Sequence, residues 1–176
     1  MTKLFHAAAI FAALPFPYGQ GHHRPEVPDN IKVTSAAEVV LQAHATGFQI
    51  YVCQAGADQK LAWILKAPDA DLFDPHGKLL GHHSAGPSWK LNDGSEIIGK
   101  MIAQHDAPDA GAIPWLLVVA ATHNGSGTLA NVTFIQRIHT KDGQPPAAST
   151  CDDPKRGTES KSPYSADYFF YSRSQN

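Results

Sequence analysis

An all-β single domain, a β-sandwich or closed barrel of about eight strands, is the fold this sequence predicts. Three observations predict it. Apolar residues recur with period two in one run after another, the pattern of half-buried strands. Turn sequences separate the runs: Asp74-Pro75-His76-Gly77, Asn92-Asp93-Gly94 and Asn124-Gly125, all suited to tight reversals. The 176 residues are 43% hydrophobic and 17% charged, enough for one core and too apolar for a disordered chain.

Residues 1–21 read as a signal peptide. Lys3 precedes an apolar run, Leu4 to Pro17, broken only by His6. The run is short for a membrane span, and Pro15, Pro17 and Gly19 close it as they would before a cleavage site. A buried N-terminal helix is the competing reading. Cleavage after Gly21 is one choice and cleavage near Ala13 another. The expectation is a secreted or periplasmic protein whose residues 22–176 form a single β domain.

The segment Ser35 to Glu38 fits a capping box, and Gly47 could stop a helix there. Val39, Val40 and Leu41, with alternation beyond them, favour a strand instead. Gly47 to Cys53 sets Phe48, Ile50 and Val52 against Gln49, Tyr51 and Cys53. Leu61 to Lys66 places Trp63 and Leu65 on one face, and Lys78 to Leu80 is a short strand between glycines. Ser95 to Gln104 puts Ile97, Gly99, Met101 and Ala103 together. Ile113 to Ala121 is apolar enough to be buried on both faces, so Trp115 is expected in the core. Val132 to His139 alternates again, and the aromatic stretch Asp167 to Tyr171 closes the chain. Thr140 to Pro163 carries four prolines and no period, so it reads as a long loop.

Charge excludes some partners. Fourteen Lys and Arg against sixteen Asp and Glu leave a formal net charge of -2, no attraction for nucleic acid or anionic membrane. No later stretch supplies the roughly 18 apolar residues of a spanning helix. A monomer binding a small ligand or a surface polymer is the expectation. Cys53 and Cys151 are the only cysteines. An oxidising compartment would join them, closing a loop of roughly 100 residues worth about 4–5 kcal/mol at most. Two separate thiols are the alternative.

No catalytic set is legible. Gly125 to Ala130 fits G-x-G-x-x-A but lacks the following helix that a dinucleotide site needs. Asp69, Asp71 and Asp74 do not continue as a calcium loop. Asn124 and Asn131 head glycosylation sequons, meaningful only in a eukaryotic secretory host. Carboxylates are plentiful, so a hydrolase stays a third possibility, but no pair has readable geometry. The cofactor is unknown from sequence. Ten histidines are the unusual count. A metal site, with redox-active copper as the alternative to ligand binding, could be assembled from His82, His83, His105 and His123, or from His22 if cleavage after Gly21 frees its amine. His82 and His83 fall in GHHSAGPSW, Gly81 to Trp89, a shaped loop with Gly86 and Pro87. There His82 and Trp89 are the candidate ligand-binding pair, unless His82 only holds the loop closed by a hydrogen bond.

Six ordered stretches carry a family resemblance: GFQIYVC, APDADLFDPHGKLLGHHSAGPSW, NDGSEIIGK, AIPWLL, IQRIHTKDGQPPA and YSADYFFY. Together, from about Val27 to Tyr171, they resemble the DUF3455 family, small exported proteins of bacteria and fungi whose function is unknown. The resemblance implies a counterpart for each cysteine and so supports the bridge between Cys53 and Cys151. It implies one histidine before Ala-Gly-Pro, followed by tyrosine. His83-Ser84 departs from that form, which makes His82 the better match of the two histidines.

Overall fold

In a computed structural model of the chain, residues 23–34 and 36–173 are described. The proposed signal peptide, His22 and the capping position Ser35 lie outside them. Eight strands follow in order: β1 (Ala37–Ala55), β2 (Leu61–Phe73), β3 (Leu79–Ser84), β4 (Ser88–Leu91), β5 (Glu96–His105), β6 (Trp115–Asn124), β7 (Val132–Asp142) and β8 (Glu159–Arg173). Each pairs antiparallel with its neighbour in sequence, and β8 returns to β1, so the sheet closes as a barrel. The all-β expectation holds, with the barrel chosen over the sandwich. The segment around Glu38 is strand, because β1 pairs from Ala37 onward with β8.

The interior mixes large and small side chains, as a small barrel must. Trp89, Tyr168 and Phe170 pack among Ala43, Ala45, Ala70 and Ala166. Gly99 sits against the benzo edge of Trp89, where an added Cβ would fall 2.9 Å from the ring and 2.5 Å from Val118. That glycine is required for the tryptophan to lie inside.

A second apolar cluster lies on the outside. The segment leading into β1, with a single 3-10 turn at Asp29–Ile31, straps the barrel wall. Ile31 and Val33 cover Leu117, Ile138, Phe169 and Tyr171. Polar contacts fasten it: the buried Gln136 amide donates to the Ile31 carbonyl at 2.6 Å and accepts from the Tyr171 hydroxyl. β6 and β8 are therefore covered on both faces, as the run Ile113 to Ala121 suggested for β6. Leu117 is buried under the strap and Val118 inside the barrel. Trp115, however, is only half buried, on the strap side, edge-on to His139 at 5.5 Å. It is not an interior residue.

Two other expectations change. The loop read from Gly81 to Trp89 is mostly strand: β3 runs on through His82 and His83, β4 starts at Ser88, and only Ala85, Gly86 and Pro87 turn between them, with a cis bond at Gly86–Pro87. The long loop is shorter than expected, because β7 continues to Asp142 and β8 begins at Glu159. What remains is tied to β1 by a disulfide between Cys53 and Cys151.

Candidate functional site

The hairpin of β3 and β4 is too short to complete its side of the wall. β2 pairs with β3 only from Ala70 to Phe73, and β4 pairs with β5 only from Ser88 to Lys90. The first half of β2 and the second half of β5 thus have a backbone partner on one side alone, β1 and β6 respectively. Two strands stand between them at the hairpin, three spacings of about 4.8 Å, so the gap there is roughly 14 Å wide. Leu65 and Met101 flank it, each 51% exposed.

Behind this window lies a cavity of about 310 Å³, at the small end of ligand sites (~300–1,000 Å³). Leu65 to Pro68, Gly86, Pro87 and Met101 form its mouth, and Trp89, His83, Leu116, Val118, Tyr168, Gln49 and Arg137 form its walls. A second hollow of about 260 Å³ shares Gln49, Leu116 and Arg137 and continues past Tyr51 and Pro114.

Strand register explains who faces in. Tyr51 stands opposite Leu65, Gln49 opposite Pro68 and His83 opposite Trp89. Facing pairs point to the same side of a sheet. Gln49 and Tyr51 share the inward face of β1 by simple alternation, and the bulge lies on β2, where the extra residue Lys66 lets Leu65 and Pro68 both stand opposite them. The inward face of this part of β1 is therefore Gln49, Tyr51 and Cys53, while Phe48 points outward under the Lys161 ammonium.

The walls are aromatic and almost uncharged. His83 stacks on Trp89 with centroids 4.5 Å apart and the rings 8° from parallel, and Tyr168 meets both rings edge-on. Burial pushes the His83 imidazole down to about 3, with the Ser88 carbonyl opposing the shift and Arg137 adding to it. The ring is therefore neutral. Its Nδ1–H donates to the Ser88 carbonyl at 2.8 Å, which leaves Nε2 as an acceptor. Burial raises the Tyr168 and Tyr164 hydroxyls far from ionisation. Arg137 is the exception. Its Nε and Nη2 donate to the Pro114 carbonyl at 3.3 and 2.7 Å, and among the described residues no carboxylate pairs with it. No Asp or Glu lines either hollow.

Two buried nitrogens of this interior, Gln49 Nε2 and Trp89 Nε1, have no partner among the described residues, while the Tyr164 and Tyr168 hydroxyls interact with each other and Tyr168 with Arg137. Such groups are rare in folded proteins and costly when left alone.

Of the sequence candidates, Trp89 lines the cavity and His82 does not. Strand alternation sends His82 outward, where Nδ1 lies 3.0 Å from Asp71 and Nε2 3.2 Å from Asp69. His83 is the one that faces in. The metal candidates stay apart. His105 Nδ1 contacts Asn30 at the strap, and His123 Nε2 donates to the Val132 carbonyl at 2.6 Å near the opposite end. Among the described residues no three His, Cys, Asp or Glu side chains form a group that could hold a metal ion. Sequence reasoning missed Gln49, Arg137 and Tyr168. The signal available was their alternation with apolar residues, which reads as solvent exposure unless the barrel interior is itself polar.

The profile of the DUF3455 family, described as a protein of unknown function, matches residues 34–172. No curated protein and no solved structure matches the chain.

Proposed function

The chain belongs to the DUF3455 family, and we propose that this member is an exported, non-enzymatic binding protein that receives a small, largely apolar ligand inside its barrel. One observation carries the reading. A walled cavity with aromatic and aliphatic sides opens through a gap in the sheet, and two buried nitrogens of the lining, Gln49 Nε2 and Trp89 Nε1, have no partner among the described residues. A small apolar cavity with a few convergent polar groups is the usual form of a ligand site. Among the described residues the lining has no Asp, Glu or Cys, so it offers neither paired carboxylates nor a thiol, which favours binding over hydrolysis. The apolar N-terminal run and the disulfide support export into an oxidising compartment.

The test uses N-phenyl-1-naphthylamine, an uncharged apolar fluorophore. Wild-type protein should bind it saturably at one site. Leu116→Trp, which fills the space shared by the two hollows, should weaken binding about tenfold or more, with the far-ultraviolet circular dichroism unchanged. Absence of saturable binding, or binding indifferent to the filled cavity, would overturn the proposal.

A further inference from the structure

We infer that the ligand is an amphipathic monocarboxylate that enters head first, its carboxylate held by Arg137 and its apolar end left at the window. The inference rests on the cavity reading above and adds the chemistry of the ligand.

The first argument is charge. Arg137 projects from β7 into the barrel, where its five N–H donors meet the Pro114 carbonyl and the Tyr168 hydroxyl but, among the described residues, no anion. The guanidinium is partly buried with no anion beside it among the described residues, and a carboxylate is the anion whose two oxygens match its fork. The second argument is polarity. The unpartnered nitrogens nearby, Gln49 Nε2 and Trp89 Nε1, are donors as well. Gln49 is 1% exposed and lines both hollows. Against these donors the lining offers the His83 Nε2 and the Tyr168 hydroxyl as acceptors, so donors are in excess beside Arg137 and a ligand that brings acceptors suits them. The only other cation at the mouth, Lys66, is engaged by Glu159. One available cation suits a monoanion and not a phosphate dianion.

The third argument is placement. In a ring of eight strands β7 stands opposite β3, and the window exists because the β3–β4 hairpin stops short. Arg137 is thus on the far wall facing the opening. A head group held there leaves the rest of the molecule to run back past Leu116 and Val118 to Leu65 and Met101, the exposed apolar rim.

The experiment compares acids with neutral isosteres by titration calorimetry: decanoate with decanol, and 2-naphthoate with 2-naphthamide. At neutral pH the wild-type protein should prefer the acid in at least one pair by about tenfold or more. Arg137→Gln should cut that preference to less than about twofold and Arg137→Lys should keep part of it. Equal affinity for acid and neutral isostere in both pairs overturns this inference and leaves the cavity reading standing. Failure of all four, together with the uncharged naphthylamine, overturns both. The wild-type comparison decides the matter even if Arg137→Gln does not fold.

Discussion

Where β4 turns into β5, the Asp93 carboxylate accepts from the Ser95 backbone N–H at 2.9 Å, the Ser95 hydroxyl at 2.6 Å and the Thr128 N–H at 2.8 Å. The Ser95 hydroxyl in turn accepts from the Leu129 N–H at 3.2 Å, and the Leu129 side chain is completely buried in the interior cluster. Toward the other end, Gln49 Nε2 is equally buried and finds nothing. The same barrel satisfies its polar groups at one end and leaves them open at the other. Polar groups that serve only folding are paired, because each unpaired one lowers stability. The open end bears that cost, and a ligand in the proposed site would offset it.

The largest effect should fall at the plugged end. Leu129→Ala removes a fully buried side chain held in place by Ser95 and should cost about 2–5 kcal/mol. Chemical denaturation measures it. A variant as stable as wild type would show that the end is not plugged by this residue and would erase the contrast.

A smaller effect separates the ends by pH. The Asp93 carboxyl is held well below the usual range, first by the Ser95 hydroxyl and then by the Thr128 N–H. Its contribution is complete above the ordinary carboxylate pKa and is lost only as pH falls below it. His83 behaves differently. Its folded pKa is pushed from 6.5 down to about 3, so between those values the unfolded chain holds a proton that the folded chain does not. Stability should fall as pH drops from about 6.5, by about 1.4 kcal/mol per unit at full slope. His83→Phe keeps an aromatic ring against Trp89 and removes the titration. Between about pH 6 and 4.5 its stability should decline less steeply than that of wild type by about that slope. Parallel curves would mean that His83 is protonated inside the barrel.

Much of this was legible in the sequence. Every strand with a period of two or a long apolar run is present, and so is the bridge between the two cysteines. The hairpin at the window was not legible, for two reasons. Ser88 to Leu91 is too short to show a period, and the histidines of β3 are not among the Val, Ile, Thr, Tyr, Phe and Trp residues by which strands are recognised. Face assignment failed for a different reason. Hydropathy marks Phe48, Ile50 and Val52 as the inner face of β1, yet Gln49, Tyr51 and Cys53 point in. A polar interior inverts the rule that reads apolar as inside. In β7 the strap adds to the confusion, since Ile138 is fully buried on the outside while Arg137 lines the cavity. Trp89 stood out in the sequence because a tryptophan among polar neighbours is odd in any context, and it lines the cavity. Arg137 was not, because an arginine in an alternating strand is ordinary.

The smallest expected change is the most informative about the contrast. Gln49→Leu replaces a buried amide by an aliphatic chain of similar size. In a paired environment that exchange strands the former partner and costs about 1–3 kcal/mol. Here the Gln49 Nε2 has no partner to strand, and the neighbouring walls are Leu65, Leu116 and Met101. The ligand-free variant should therefore stay within about 1 kcal/mol of wild type and on the more stable side. It should keep its affinity for the uncharged naphthylamine while losing part of its preference for carboxylates. Denaturant midpoints and the two titrations read these separately. A loss of about 2 kcal/mol or more would mean that Gln49 holds the barrel together as Asp93 does. The two ends would then differ in composition and not in purpose.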